Sequence, residues 1–273
     1  MTATTSYLPA QATAGGLRGE LQRLENQAEL TFAAELDGLT RAGLQATGTL
    51  VDLGCGSGAV TRRLRAALPD ATVVGADVDP ELLAHVDPPV ALIEDGRCPL
   101  PGAADDVLVR YVAQHLDALA RAGLWALARR LLRPGGRLHV VDVADSDWGS
   151  VRPCTPELGD VYRRIAEHQQ RLGGNRFVAR ALVAELADAG FAVPTARRLT
   201  VTSADRPLRE FAVHLGAERY VPLVRAGVLT LQDLARIAAA WQALLSHPDA
   251  SVTLAVHLVS AAQPDPARLE EFS

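Results

Sequence analysis

Residues 50–59 have the sequence Leu50-Val51-Asp52-Leu53-Gly54-Cys55-Gly56-Ser57-Gly58-Ala59. Three apolar residues around one acid predict a buried strand, and the alternating glycines followed by a helix-forming run predict a sharp strand–turn–helix. A turn of this kind exposes backbone N–H groups, and glycines let a ligand approach them without meeting a Cβ atom. The stretch therefore predicts a small-molecule cofactor site in the first quarter of the chain.

The glycine pattern by itself fits two kinds of cofactor. Gly54 to Gly58 match G-x-G-x-G, and with Ala59 they also match the dinucleotide pattern G-x-G-x-x-A. Asp52 favours a ligand that carries an ammonium and a sulfonium group, because a buried acid requires a cation or hydrogen-bond donors. Asp77, at the end of the second predicted strand, can accept both hydroxyls of a ribose and suits either cofactor.

Strands alternate with helices from Leu50 onward. We predict strands at 50–53, 71–76, 90–93, 106–111 and 137–143, helices at 59–68, 80–86 and 116–133, and a return to the sheet at 191–201 and 251–261. Such alternation predicts an α/β fold whose mostly parallel sheet is covered on both faces.

Helical segments surround this alternating region. We predict helices at 16–46, 156–172 and 179–189 and one or more within 206–246, the last with Thr230 as its N-cap. We expect one domain over 15–273, with lid or acceptor-binding elements at 16–46, 145–190 and 206–246, preceded by a flexible tail at 1–14.

Composition excludes several classes of function. The 273 residues carry a net charge of −5 with scattered arginines, so we expect no nucleic-acid partner. The sequence contains no lysine, which excludes Schiff-base chemistry. Cys55, Cys98 and Cys154 are too few and too scattered for a disulfide framework or a metal site, which favours the cytoplasm. No run of about 18 apolar residues is present, so we expect no membrane-spanning helix.

Five motifs, taken together, carry a family resemblance. They are VDLGCGSG (51–58), VVGADVDP (73–80), EDGRCPLP (94–101), RYVAQHL (110–116) and LLRPGGRL (131–138). In this order and spacing the chain resembles the class I S-adenosylmethionine-dependent methyltransferases, and 19–27 and 173–191 resemble the small-molecule branch of that family. The resemblance implies a Rossmann-like, doubly wound, seven-stranded, mostly parallel sheet with an antiparallel last strand. It also implies S-adenosylmethionine as the cofactor and S-adenosylhomocysteine as the product.

The resemblance also assigns residues to the cofactor. For the methionine part, it implies contacts with Gly54, Gly56 and Gly58 beneath it, with Asp52 at its ammonium or supporting the loop, and with Arg23 and Gln27 at its carboxylate. For the nucleoside, it implies contacts with Asp77 and Val78, and for adenine with Asp95 and Gly96. It places Arg110 beside the methyl group. A solvated helix face is the alternative for Arg23 and Gln27. Asp105-Asp106 departs from the aromatic–acid pair usual before the fourth strand, and we expect a core-packing contact to be lost there.

Methyl transfer needs alignment, desolvation and, for a hydroxyl acceptor, a base. His115 follows the fourth strand at the ligand-binding edge and is the leading base candidate, with a structural histidine as the alternative. Tyr111 beside it lines the acceptor pocket or packs in the core. Trp148, Tyr162 and His168 are acceptor-binding candidates, for which packing is again the alternative.

These observations favour methyl transfer to the O, N, S or C atom of a small molecule, such as a natural-product intermediate, by a monomer or homodimer. A non-methylating reaction of the same fold, such as cyclisation, is the alternative. A nicotinamide-dependent oxidoreductase is disfavoured because no Tyr-x-x-x-Lys pair can exist without lysine. A non-catalytic cofactor-binding scaffold is a further alternative, which an exposed apolar face on 206–246 would indicate.

Overall fold

The computed structural model describes Ser6, residues 15–144 and residues 149–265. Most of the predicted tail at 1–14 therefore lies outside the described residues. The strands are β1 (Gly48–Leu53), β2 (Ala71–Asp77), β3 (Val90–Leu92), β4 (Ala104–Arg110), β5 (Leu132–Asp142), β6 (Ser150–Arg152), β7 (Ala192–Thr202) and β8 (Ser251–Ala262). The helices are α1 (Gly16–Arg41), α2 (Ala59–Ala67), α3 (Pro80–Leu83), α4 (Ala118–Leu131), α5 (Pro156–Arg171), α6 (Leu182–Asp188), α7 (Leu208–Leu215), α8 (Val221–Arg225) and α9 (Leu231–Ser246).

The sheet has the predicted mostly parallel topology. Its order is β3-β2-β1-β4-β5-β8, and β7 also pairs with β8. Strands β1 to β5 pair in parallel, whereas β8 runs antiparallel to β5 and to β7. The reversal of strand order at β1 and β4 leaves a crevice at the carboxyl ends of these strands, where ligands bind in open α/β sheets.

The described sheet has one strand more than the predicted seven. The short strand β6 pairs with Ser251–Thr253 of β8, beyond the segment that β5 occupies, so the sheet formed by the described residues has eight strands. Its three residues alternate in burial but are too few for the sequence to predict a strand, and β6 forms because β8 offers it hydrogen-bonding partners there.

Helix ends differ from the predicted ones for local reasons. Helix α1 stops at Arg41 instead of residue 46, because Gly43 adopts a φ of +95° and the N–H of Leu44 donates to the carbonyl of Leu39 at 3.0 Å. Helix α4 begins after Asp117, whose side chain accepts from the N–H of Ala120. Thr230 caps α9 as predicted and forms a capping box with Asp233.

Apolar side chains pack on both faces of the sheet. Leu50 of β1 belongs to the cluster under α1, α5, α7 and α9, whereas its neighbour Val51 belongs to the cluster under α4 and α6. This alternation follows from the two-residue period of a strand. No helix of the described residues has the length and hydrophobicity that a membrane crossing requires.

The Asp105-Asp106 pair forms polar contacts where we expected lost packing. Asp106 Oδ1 lies 3.0 Å from His139 Nε2, and His139 Nδ1 lies 2.8 Å from Ser260 Oγ. Asp105 accepts from the N–H of Thr49 at 2.7 Å. This buried Asp–His–Ser chain ties β4, β5 and β8 together in the amino-terminal half of β4, away from the crevice, so its role is structural.

We expect His139→Ala to lower the free energy of unfolding by about 2–4 kcal/mol, because it leaves Asp106 and Ser260 without a buried partner and opens a cavity. Urea unfolding measures the loss. His85→Ala is the control, since His85 is exposed and its removal should cost at most about 0.5 kcal/mol. Equal losses in the two variants would contradict the structural role.

Candidate functional site

The glycine loop between β1 and α2 forms the floor of the crevice. Gly54 has a φ of +80° and Gly58 a φ of +73°, and a Cβ atom would lie 2.4 Å from Val112 Cγ2 at the first and 2.8 Å from Val86 Cγ1 at the second. Both positions therefore need glycine for conformation and for packing. At Gly56 the nearest atom to a Cβ would be Leu24 Cδ1 at 3.9 Å, so the loop is open above this residue.

Asp52 supports the loop from below. Its Oδ2 accepts from Thr61 Oγ1 at 2.6 Å, which fastens the first turn of α2 to β1. Burial raises the pKa of Asp52 to about 6, although the Thr61 hydroxyl acts in the opposite direction. Of the two predicted roles, the geometry favours loop support, and a contact with an ammonium group stays a prediction.

Asp77 and Val78 lie together at the carboxyl end of β2. Asp77 Oδ2 accepts from the N–H of Gly56 at 2.7 Å, and Oδ1 accepts from the N–H of Asp79 at 3.0 Å. Burial raises the pKa of this carboxyl above its ordinary value. Val78 is 68% exposed, which is unusual for a valine that follows a buried strand. An acceptor of hydrogen bonds beside an exposed apolar side chain suits a ribose with its base.

Asp95 and Gly96 form a tight turn after β3. Their φ angles are +49° and +69°, and the backbones of Glu94 and Arg97 exchange hydrogen bonds across the turn at 3.0 and 2.8 Å. Both residues are exposed. The N–H of Ile93 donates to the carbonyl of Asp77 at 2.9 Å, so the turn lies at the same edge of the sheet as Asp77.

Arg110 and Tyr111 bind α1 through their side chains. Arg110 Nε donates to Glu35 Oε2 at 2.6 Å and its Nη2 donates to Thr31 Oγ1 at 2.9 Å, while the Tyr111 hydroxyl lies 3.3 Å from Glu35 Oε1. This geometry favours packing over pocket lining for Tyr111. The guanidinium group of Arg110 is already bonded to Glu35 and Thr31. The predicted contact between Arg110 and the cofactor would therefore have to come from its backbone.

Arg23 and Gln27 lie on the part of α1 that faces the crevice. Gln27 is buried, and Arg23 Nε donates to the buried Glu20 at 2.7 Å. Leu24 between them is the side chain that approaches Gly56. A solvated helix face is therefore wrong as an explanation for this pair.

His115 ends a 3₁₀ turn, residues 113–115, that follows β4. Its Nδ1 lies 3.2 Å from Ser6 Oγ and 3.4 Å from Gln169 Nε2. Burial lowers the pKa of His115 to about 3, and the charges of Arg176, Arg23 and Arg219 lower it further in the same direction. The imidazole is therefore neutral at neutral pH.

Asp142 is a site residue that the sequence reasoning missed. Its Oδ2 accepts from the N–H of Gln114 at 3.1 Å and its Oδ1 from the N–H of Val143 at 2.8 Å, so it holds the turn that carries His115. Burial raises the pKa of Asp142 to about 7, although these N–H donors act in the opposite direction. The available signal was an acid at the end of a strand, the same signal that identified Asp77.

The structure describes two of the three acceptor candidates. Tyr162 on α5 is near Tyr220, and burial raises its pKa well above the ordinary value. His168 is half-buried, and burial and Arg171 lower its pKa, while the adjacent Gln169 is the residue that reaches His115. Trp148 lies outside the described residues. The acceptor-binding roles of these three stay predictions.

Comparison with known proteins identifies relatives. Residues 51–138 match the model of a family described as a methyltransferase domain. Malonyl-[acyl-carrier protein] O-methyltransferase of Hahella chejuensis is 34% identical over 143 residues, which are 50% of this chain and 46% of that protein. Trans-aconitate 2-methyltransferase of Deinococcus radiodurans is 33% identical over 154 residues, 51% of this chain and 56% of that protein. The chain thus spans about half the length of the curated relatives it matches.

Solved structures show the same fold. Phosphoethanolamine N-methyltransferase 2 of Haemonchus contortus, in complex with phosphomonomethylethanolamine and S-adenosylhomocysteine, matches with a TM-score of 0.53 and 17% identity over 89% of this chain and 57% of that chain. At this identity the likeness concerns the fold alone.

We expect Asp142→Asn to gain stability relative to the original protein as the pH rises. The folded-state pKa of Asp142 is raised from 3.8 to about 7, because burial favours the protonated carboxyl. The protonated carboxyl therefore contributes stability at low pH, and this stability is lost as the pH rises from about 4 to above 7. Asparagine does not titrate, so the difference in unfolding free energy should shift towards the variant by about 2 kcal/mol between pH 5 and pH 8. Urea unfolding at both pH values measures it, and a pH-independent difference would contradict the raised pKa.

Proposed function

We infer that this chain, which contains a class I S-adenosylmethionine-dependent methyltransferase domain, transfers the methyl group of that cofactor to a small-molecule acceptor by in-line displacement. The observation that carries this proposal is the hydrogen bond between Asp77 and the Gly56 N–H, with Val78 exposed beside it. This contact holds the carboxylate of Asp77 against the glycine loop at the carboxyl edge of the sheet, which supports the nucleoside-binding role that we propose for it.

The residues present fit the cofactor. A carboxylate offers about four acceptor positions, and the N–H groups of Gly56, Asp79 and Val78 act on the carboxylate of Asp77, so room remains for a ribose hydroxyl to donate. Val78 offers an apolar surface to adenine, and the exposed turn at Asp95-Gly96 offers its edge contacts.

The methionine part would lie over the loop. Gly56 leaves the backbone open there, Gly54 and Gly58 give the loop its conformation, and Arg23 and Gln27 on α1 would bind the carboxylate of the methionine part. The cofactor supplies a methyl group activated on positive sulfur, so this chain has mainly to align the acceptor and exclude water. S-adenosylhomocysteine would leave from the same site.

The acceptor side is built by helices. In the described residues α1, α5, α7 and α9 contribute to one apolar cluster with the sheet, which supports the proposed lid and acceptor elements at 16–46, 145–190 and 206–246 within one domain over 15–273. We propose that these helices also border the acceptor site, and a site bordered by packed helices favours a small acceptor over a polymer.

His115 is the proposed base for a hydroxyl acceptor. Its imidazole is neutral, and because Gln169 Nε2 can only donate to Nδ1, the lone pair that would take the proton lies on Nδ1. The proton would leave the acceptor oxygen as its bond to the methyl carbon forms and the carbon–sulfur bond breaks. Asp142 positions this histidine through the backbone of the turn, and Gln169 orients the ring through Nδ1.

Calorimetry with S-adenosylhomocysteine tests the cofactor assignment. We expect saturable binding, and Asp77→Ala should weaken it by at least about tenfold, because it removes both the ribose contact and the support of the Gly56 N–H. Asp70→Ala is the matched control, since Asp70 is an exposed acid at the opposite end of β2. Absence of binding to the unaltered protein would refute the proposed function.

Titration of His115 tests its protonation. We expect nuclear magnetic resonance to show a neutral imidazole from pH 5 to pH 8, with His115→Asn identifying the signal, because its pKa is about 3 and not 6.5. With an acceptor found by transfer of labelled methyl, His115→Ala should lower kcat by about 10²–10⁴-fold, and kcat/KM should show no acidic limb near pH 6.5. An unchanged kcat would remove His115 as the base, and His85→Ala controls for nonspecific effects.

A further inference from the structure

Ser6 lies against the proposed base, although the two are distant in sequence. Its N–H donates to the carbonyl of His115 at 2.9 Å, and its Oγ lies 3.2 Å from His115 Nδ1 and 3.3 Å from the same carbonyl oxygen. The two residues are 109 positions apart, so no local pattern predicts the contact. Ser6 thus touches both the backbone and the ring of His115.

Gly174, which follows α5, makes room for the hydroxyl of Ser6. A Cβ atom at residue 174 would lie 2.7 Å from Ser6 Oγ and 2.7 Å from the carbonyl oxygen of Gln114. It would also lie 2.8 Å from Gln169 Cγ. Gly174 has no positive φ, so its missing side chain serves this close approach and not a special backbone conformation. The chain therefore provides a shaped seat for Ser6 between the turn of His115 and the end of α5.

Hydrogen bonds fix the walls of this seat. The N–H of Gly174 donates to the carbonyl of Gln169 at 2.9 Å. The carbonyl of Gln114 accepts from the N–H of Asn175 at 2.7 Å and from Gln169 Nε2 at 2.8 Å. Gln114 and Gln169 are both buried. The seat is therefore a defined part of the fold, and its walls come from the turn after β4 and from the end of α5.

The ring nitrogen that faces Ser6 is the one that carries the lone pair. Gln169 Nε2 lies 3.4 Å from His115 Nδ1 and can only donate to it. Ser6 Oγ, at 3.2 Å, is the nearer of these two groups. A hydroxyl can donate its hydrogen to such a lone pair while its own oxygen accepts from another hydroxyl. An acceptor hydroxyl that approaches Nδ1 from this side therefore meets Ser6 Oγ first.

We propose that the hydroxyl of Ser6 relays the proton of the acceptor to His115. This inference rests on the proposed methyl transfer with His115 as its base, and it specifies the reacting atom of the acceptor as a hydroxyl oxygen. The acceptor O–H proton moves to Ser6 Oγ while the Ser6 proton moves to Nδ1. In the same step the acceptor oxygen bonds to the methyl carbon, and the carbon–sulfur bond breaks with its electron pair left on sulfur. Ser6 is regenerated, and the positive charge of the sulfonium reappears on the imidazolium.

The shaped seat favours a relay over a block. If Ser6 only covered the base, its contacts with His115 would have to break each time an acceptor bound. A relay leaves Ser6 in place through the reaction, which is consistent with a glycine at residue 174 that fits the hydroxyl so closely. The two roles predict opposite effects of removing the hydroxyl, since a relay would slow the reaction without it and a block would release it.

Nitrogen-15 magnetic resonance of the full chain tests the contact without cofactor or acceptor. We expect Ser6→Ala to shift the Nδ1 signal of His115 towards that of a free lone pair, with a smaller change at Nε2, because Nδ1 loses a hydrogen-bond donor. Ser246→Ala is the matched control, since Ser246 is exposed at the end of α9, and it should leave both signals unchanged. An Nδ1 signal that does not move in Ser6→Ala would overturn the proposal.

Kinetics with an acceptor found by transfer of labelled methyl test the relay itself. Ser6→Ala should lower kcat by about 10–100-fold with KM changed by less than about threefold, and Ser6→Thr, which keeps a hydroxyl, should retain more of kcat than Ser6→Ala. Single-turnover rates of the unaltered protein in mixtures of light and heavy water should follow a curve, because two protons move together.

Three results would overturn the relay: a linear dependence on heavy water, a kcat of Ser6→Ala within about twofold of the original, or a raised kcat, which would identify Ser6 as a block. Thermal unfolding of each variant shows whether the fold is intact. Absence of methyl transfer by the unaltered protein would refute the proposed function and the relay with it, whereas the nitrogen shifts would still establish the contact between Ser6 and His115.

Discussion

The ion pair between Arg110 and Glu35 is the contact on which the arrangement of the site depends. It joins the end of β4 to the middle of α1, with Thr31 and Tyr111 completing the set of hydrogen bonds. A buried pair of this kind contributes little net stability, but it is costly to break and fixes one geometry. Through it, α1 lies across the carboxyl edge of the sheet and brings its polar side chains to the glycine loop.

Electrostatics then divide the crevice into two regions. On the side proposed for the nucleoside, Asp52 and Asp77 are buried acids that accept hydrogen bonds from α2 and from the loop. On the other side, burial lowers the pKa of His115, arginine charges act in the same direction, and the imidazole is neutral.

The sequence predicted most of the sheet, the glycine loop and the acid beside it because these features depend on local patterns. Alternating apolar residues, the glycines at 54–58 and the acid at residue 77 are each recognisable within ten residues. Strand β6 escaped prediction because it depends on a free edge of β8, and the Asp105-Asp106 pair was misjudged because its partners, His139 and Ser260, are distant in sequence. The helices of 206–246 and the capping of α9 by Thr230 were local features and were confirmed.

By itself, the sequence determined the α/β class, the strand that leads into the glycine loop and the acids beside it, since short-range periodicity and turn chemistry encode these. Tertiary structure alone decided that Arg110 and Tyr111 hold α1 and that Asp142 supports the turn of His115. Those contacts join residues that lie tens of positions apart in the sequence. Their energies depend on burial and on the summed charge of many groups, neither of which a linear pattern contains.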